Sequence, residues 1–564
     1  MKTKNILLLI FSVLALTACN DFLNTDDLTR KNSANFPKTE SDAQQSLAGC
    51  YAMLRYQTSG NEAQNQMIVS EILSDDRFAG GGPDDAFLHA VDHLSKYGNN
   101  MFEEIWKDCY AGIHRCNMLI ESIPNISFSS NDSRNQIDGE ARFLRAYYYF
   151  CLCETFGNVP LITTSLSKED PPQATPEQLY SQIGNDLTTA IKDLPTTKAP
   201  DIPASQLGHA TRWAAEGMLA RVFLFYTGYY SQTSLPAPDK GAVTKDEVIT
   251  DLKDCIDNSG HKLMPDFRNL WPYSNSYTKP NYPYSMANDL NWYGEDGGNL
   301  ETIFSIRYSA KASWDDQSSW RSNQVDLFFS PRESDGSVEN NFPLGIGWGA
   351  GTISPKMIEE WETAEPKDIR LKASVFDVSE EAPNYVWGAD KQQDETGYWE
   401  KKYCAINVKT VQDGDTIYEN FARRIYPDLS TDYQLNNIQD IVVLRYADIL
   451  LMYSELTHTT GGINQVRARV HLAPVANYTD AALRNERHWE LAFEGLRWYD
   501  LLRWHIAADA LQKEDGTDVE ENGVKTKIDM SDIGQRVKDT GGFMQIPQTQ
   551  IDLSNGVLKQ NKGW

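Results

Sequence analysis

Basic residues are scarce in this 564-residue chain: 52 Lys and Arg stand against 79 Asp and Glu, a formal charge of −27. Such a balance leaves too few cations to neutralise phosphates, which argues against nucleic acid as a partner. It also repels anionic lipid headgroups. Long hydrophobic runs are missing too. The apolar run from Ile6 to Leu16 has eleven residues, about half of the roughly 20 that span a bilayer, and no later stretch approaches that length. Cysteine is sparse, with eight residues and no Cys-x-x-Cys spacing, so no zinc site is expected. Neither a His-Glu-x-x-His pair, a phosphate-binding Gly-Lys loop nor a Gly-x-Ser-x-Gly elbow occurs. No Gly-x-Gly-x-x-Gly opens a helix after a strand. Carboxylate pairs are too common among 79 acids to nominate a glycosidase centre. The expectation is no catalytic residue, no metal and no cofactor.

What is present begins with a leader. Lys2 and Lys4 precede the apolar run, which reads as a cleavable signal peptide over 1–18. Leu16-Thr17-Ala18-Cys19 resembles the lipobox of bacterial lipoproteins, in which the cysteine thiol takes up diacylglycerol. Acyl chains bring about 0.8 kcal/mol per buried CH2, so several chains hold a protein stably at a membrane. Cys19 is therefore the expected lipidation site, with a polar tether over 19–38. Losing the leader removes two lysines and no acid, giving −29 over the remaining 546 residues. The seven other cysteines are an odd number without paired spacing, and Cys109, Cys116, Cys151 and Cys153 fall in helical patterns as small buried hydrophobes.

Helical periodicity fills both ends of the chain. From Thr39, Ala43, Leu47, Cys50, Tyr51 and Leu54 share a face; Ile105, Trp106, Cys109, Ile113, Cys116 and Ile120 do so ahead of Pro124. The stretch around 140–156 is apolar on two sides, as a helix between two neighbours would be, and Gly157 and Asn158 suit its C-terminal cap. Thr175 and Gln178 form a capping box with Pro176 at the first helical position. A further helix runs from about Thr211 to Gly228. Helices return after 425 in "QDIVVLRYADILLMYSEL", "INQVRARV" and "DAALRNERHWELAFEGLRWYDLLRW". Helix pairs burying both faces suggest a mainly α, tetratricopeptide-like superhelix, although no strict 34-residue repeat is present. The expected division is a scaffold over 39–264, an irregular α+β insertion over 265–425 and a scaffold-completing region over 426–564.

The insertion is rich in Gly, Asn, Ser and Pro, with strand-like pieces such as "TIFSIRY" and "KKYCAINVKT". It holds eight of the 14 tryptophans. In the long C-terminal pattern, Arg487, Glu490, Glu494 and Arg497 lie three, four and three residues apart, one charged ridge on a continuous helix. With charges matched in sign, an ion-pair lock to neighbouring elements is the favoured reading over an acid/base pair.

This same stretch, "ERHWELAFEGLRWYDLLRW", resembles the C-terminal signature of the SusD/RagB family of outer-surface nutrient-binding lipoproteins. "CNDFLNTDD", "EARFLRAYYYFCLCETFGNVPLI", "GHATRWAAEGMLARVFLFYTG", "IVVLRYADILLMYSEL" and "FMQIPQTQIDLSNGVLKQNKGW" match in order. The resemblance implies a non-catalytic receptor for oligosaccharides, or peptides in some relatives, at the exterior of the outer membrane. It also implies a partner, a SusC-like TonB-dependent transporter to which ligand is delivered. A surface glycan-degrading enzyme is the alternative of a different class.

A neutral sugar has apolar C–H faces and a rim of hydroxyls, so a receptor needs aromatic plates beside a few amides or carboxylates. Trp292, Tyr293, Trp314, Trp320 and Trp348 lie in polar, Gly-containing loops and are the candidate plates, while Trp361 and Trp399 read as core. For each plate the competing reading is burial in the insertion. Relatives use the region after the Ser74-Asp75 pair near their ligand, which makes Asp75, Asp76 and Arg77 the polar candidates, followed by a triple glycine read as a mobile loop. An ordinary helix-ending loop, or a calcium site with Asp84 and Asp85, are the other readings there. His89 and His93, four apart with no third ligand, read as surface or core residues rather than metal ligands.

Overall fold

Residues 36–56, 65–166, 171–294, 298–315, 321–332 and 337–564 are described by a computed structural model. Cys19, the leader and Trp320 lie outside the described residues. Among these residues no helix is long and apolar enough to cross a membrane.

Successive helices pack in pairs. Glu40–Tyr56 lies on Glu103–Ser122, Asn131–Phe156 on Pro176–Asp193, and Arg212–Tyr229 on Lys245–Asn258. Local chemistry sets these boundaries. Thr175 and Gln178 close the expected capping box, and Thr244 and Glu247 close a second one. Gly157, at φ +70°, ends the 26-residue helix Asn131–Phe156, whose second half is buried on every side. The C-terminal pair Tyr446–Thr457 and Gly461–Arg469 packs back onto Lys245–Asn258, so chain ends far apart in sequence build one frame. The fold is mainly α, a tetratricopeptide-like stack of helical pairs with an irregular α+β insertion. Cys50, Cys109, Cys116, Cys151, Cys153, Cys255 and Cys404 are buried, as small hydrophobes should be, and no disulfide joins them among the described residues.

Two elements differ from the periodic reading. Ile441–Arg445 is a strand rather than the start of a helix, and it pairs antiparallel with Thr302–Ile306. Its β-branched run Ile-Val-Val suits a pleated, half-buried surface, and the helix begins only at Tyr446. The second difference is at the C-terminal signature. The helix Asp480–Leu491 stops, Phe493 and Gly495 take left-handed backbone at φ +65° and +74°, and a new helix runs from Arg497 to Arg503. Arg487, Glu490, Glu494 and Arg497 thus share no single ridge.

Each of the four is nonetheless ion-paired, and to other elements. Glu490 receives Arg370, Arg445 and Arg469; Glu494 receives Arg445 and Lys402; Arg487 reaches Asp448 and Asp500. Burial acts to raise the carboxyl of Glu490, but the guanidinium groups of Arg469, Arg445 and Arg370 overrule it and hold it well below the usual range. A small second core lies beside this network, where Trp361 stacks on Trp489 with centroids 4.9 Å apart. Trp361 and Trp399 are both buried.

Candidate functional site

The turn Ser74–Arg77 follows the helix Gln66–Ile72, whose first turn is capped by the Asn65 side chain. It does not present its charges to solvent. Arg77 is 1% exposed; its Nε donates to Glu71 and its Nη1 to the Gly351 carbonyl, both at 2.7 Å, while Nη2 lies 2.9 Å from Glu400. Phe329 and Phe493 cover the guanidinium at 4.3 and 4.6 Å. Asp76 is fully buried against His488 Nε2 at 2.5 Å. Asp75 accepts Arg497 Nε and Nη2, both at 2.7 Å. Enclosed and neutralised in this way, these charges are not presented to a sugar at the surface. Asp75, Asp76 and Arg77 are therefore corrected from ligand contacts to bolts that join the first helices to the insertion and the C-terminal signature. Asp75, Asp76 and His488 bring ligand atoms within 4.8 Å of one another, the one such trio among the described residues. Arg497 already supplies the positive charge that Asp75 calls for.

The triple glycine is a zipped segment rather than a mobile loop. Phe78 N donates to Thr352 O at 2.9 Å, Gly351 N to Ala79 O at 2.9 Å and Gly81 N to Gly349 O at 2.6 Å. A Cβ on Gly80, at φ +63°, would stand 2.4 Å from the Gly349 carbonyl, so only glycine allows this approach. One on Gly82 would meet the Arg332 guanidinium at 2.7 Å.

That arginine organises the surface beyond. Its Nη1 donates to Asp85 Oδ2 at 3.1 Å and to the Trp348 carbonyl at 3.0 Å, and its Nη2 to Asp390 Oδ2 at 2.9 Å. The triple-glycine segment and Trp348 are thereby drawn to one place. Arg332, Asn340, Asn341, Tyr385, Gln392 and Glu395 line a small hollow of about 10 Å³ there, room for a single hydroxyl or water rather than a sugar ring. Beside it stands Trp387, 41% exposed, its ring edge-on to Tyr385 at 5.6 Å. Tyr385 is fixed from below by donating to Glu395, which also accepts Gly388 N at 2.7 Å. The exposed indole, with the phenol of Tyr385 and the half-buried amide of Asn340 beside it, makes a surface suited to a neutral, hydroxylated ligand, while Asn341 and Gln392 are buried behind it.

The candidate plates scatter. Trp314 is 52% exposed and donates to Asp432 at 2.8 Å. Trp348 is half-buried, edge-on to Phe328 at 4.6 Å. Trp292 is half-buried on Phe421 at 5.4 Å and lines a different cavity, beside the loop Gln206–His209. Tyr293 is half-buried too, its hydroxyl accepting Asp266 N at 3.0 Å. Trp387 was missing from the candidates, although "NYVWGAD" is the same kind of polar, Gly-containing loop that nominated the others. Asn340, Asn341 and Gln392 carried no signal, because only the fold brings them together.

Buried carboxyls near this surface titrate late. Burial, the dominant cause, pushes Glu400 up to about 8 despite Arg77, and Glu395 and Glu514 to about 7 despite their hydrogen bonds. The folded chain keeps protons there that the unfolded chain, with ordinary carboxylates near about 4.3, has released. Stability from these groups is complete below the unfolded value and is lost as pH rises through 7 and 8. The urea midpoint is expected to be higher at about pH 6 than at about pH 8. A midpoint that climbs over that interval would contradict this account.

Fold and surface together define a class: a helical-repeat frame that displays an aromatic, amide-lined hollow on an inserted region. Comparison with known proteins gives the family. Residues 21–224 match the family described as starch-binding associating with outer membrane, and residues 300–564 match the SusD family. The chain belongs to the SusD/RagB family. A SusD-like protein of Formosa agariphila is 22% identical, over 91% of this chain and 92% of that protein. A solved laminarin-binding SusD-like protein is 26% identical with a TM-score of 0.69, covering 93% of this chain and all of that one. The surface glycan-binding protein A of Bacteroides thetaiotaomicron, solved with laminarihexaose, is 21% identical with a TM-score of 0.71, over 93% of this chain and all of that one.

Proposed function

We propose that the protein is a lipid-anchored receptor at the outer cell surface that binds a neutral oligosaccharide, leaves its bonds intact and passes it to a SusC-like TonB-dependent transporter. The observation that carries this reading is the exposed Trp387 beside Tyr385 and the half-buried Asn340. An indole face matches the C–H face of a sugar ring, and the amide of Asn340 matches its hydroxyls. Arg332 is neutralised by Asp85 and Asp390, so the hollow does not select for anions. Trp314 and Trp348 are the accessory plates in this proposal. Cys19 supplies the anchor, which a processed chain of charge −29 needs beside an anionic membrane. Laminarin and laminarihexaose are the first ligands to try, since one relative binds laminarin and another was solved with laminarihexaose.

Calorimetric titration with laminarihexaose, using the chain without residues 1–19, tests the reading. Saturable binding is expected, with no new reducing ends after prolonged incubation. Burying one aromatic side chain is worth about 1.5–3 kcal/mol, so Trp387→Ala is expected to weaken binding about 10- to 100-fold. Failure to bind across a panel of neutral glycans would overturn the reading, and so would the appearance of reducing ends.

A further inference from the structure

A second cavity, of about 90 Å³, lies between the loop Gln206–His209, the strand pair Thr302–Ile306 and Ile441–Arg445, and the segment that carries Trp271 and Trp292. Three of its lining residues are more than nine-tenths buried, and each holds a polar atom with no hydrogen-bond partner among the described residues: Trp271 Nε1, His261 Nε2 and Gln439 Oε1. Leaving one such atom unpaired costs about 1–3 kcal/mol, so three around one cavity call for an occupant.

Their chemistry can be assigned. His261 Nδ1 lies 3.0 Å from the Leu300 carbonyl, which only accepts, so Nδ1 carries the proton and Nε2 is an acceptor. Burial pushes this imidazole down to about 4, which keeps it neutral. Gln439 Nε2 donates to Lys402 O at 2.6 Å, which fixes the amide and leaves its oxygen as an acceptor. The Lys402 ammonium lies over the Trp271 ring at 4.8 Å and holds that indole, whose N–H is a donor. The cavity therefore offers one donor and two acceptors, none of them charged. At the rim, Arg307 and Asp440 pair at 3.2 Å, and Trp292 forms part of the wall. Vicinal hydroxyls both donate and accept, and they answer this pattern, whereas a carboxylate or an ammonium does not. The volume is about three water shares of roughly 30 Å³ each, too small for a whole drug-sized ligand. Across the Gln206–His209 loop, however, a cleft of about 560 Å³ shares His209, Ser305 and Arg307 with it.

We infer that this cavity is a second ligand site, separate from the Trp387 hollow, that takes the terminal diol of a neutral saccharide whose remainder lies in the adjoining cleft. Crystals of the Trp387→Ala protein soaked in glucose test it directly, because they report on this cavity whether or not the Trp387 hollow binds glycan. Sugar hydroxyls within hydrogen-bond distance of at least two of the three atoms are expected. Ordered water alone, or an empty cavity, overturns the inference. In solution, the Trp271 indole N–H resonance is expected to shift saturably with glucose. Gln439→Met, which removes one acceptor at similar volume, is expected to weaken that binding about tenfold. Trp292→Ala, at the rim, provides a second variant that leaves the buried atoms in place and is expected to weaken it as well. A non-saturable shift, or unchanged affinity in both variants, refutes the assignment.

Discussion

Replacing Arg77 by Ala is expected to lower the free energy of unfolding by about 3–5 kcal/mol, the usual cost of stripping one partner from a buried ion pair. The substitution leaves Glu71 and Glu400 facing each other without the charge between them, and both are fully enclosed. It also removes the plate that fills the gap between Phe329 and Phe493. Arg77→Lys should recover part of the loss, because a point charge cannot satisfy Glu71, Glu400 and the Gly351 carbonyl at once. Urea unfolding followed by tryptophan fluorescence measures the change. The affinity of the folded fraction for laminarihexaose should stay the same. A variant that keeps its stability and loses glycan would return Arg77 to the role that its position after Ser74-Asp75 first suggested.

The second large effect is expected at Glu490, where Arg370, Arg445 and Arg469 converge. Glu490→Ala leaves three buried guanidinium groups with one carboxylate fewer. A loss at the upper end of about 3–5 kcal/mol is expected, together with a visible drop in soluble yield. Glu490→Gln keeps the shape and some hydrogen bonding while removing the charge, and it should fall between Ala and wild type. Since Glu490 is held ionised far below its ordinary range, its contribution should begin to fall once the pH drops past the unfolded-state value of about 4.3 and should be gone only in strong acid. If Glu490→Gln unfolds at the same urea concentration as wild type, the convergence is not holding the elements together.

The helical frame was legible because its information is local. Thr175 with Gln178, Pro176 and the stripes at three- and four-residue spacing act within one or two turns, and the helices form where they say. Ile441–Arg445 misled because an apolar run of that length has no period of its own. Its identity as a strand is decided by Thr302–Ile306, far away in sequence. The break at Phe493 and Gly495 was hidden for a similar reason: Glu71 accepts Gly495 N at 2.6 Å and holds the kink in place from another part of the chain. The resemblance and their charge misplaced Asp75, Asp76 and Arg77 at the surface, because the partners Arg497, His488 and Glu400 that enclose them lie far along the chain, and only Glu71 is local. Exposure of an indole is likewise a tertiary property. Trp314 and Trp387 stand out in water while Trp271, Trp361 and Trp399 do not, and composition makes no distinction among them.

The pairing of Thr302–Ile306 with Ile441–Arg445 means that the long excursion from 307 to 440 leaves the frame and rejoins it at neighbouring points. A segment tied off at such a neck works as a cassette. Because loop closure becomes costlier only slowly with length, by about 0.6 kcal/mol per doubling, its outer loops, away from the Arg370, Glu400 and Lys402 contacts with the frame, can be trimmed, extended or swapped while the helices around it stay where they are. Appetite for a new nutrient can then evolve inside the pouch without redesign of the body that carries it.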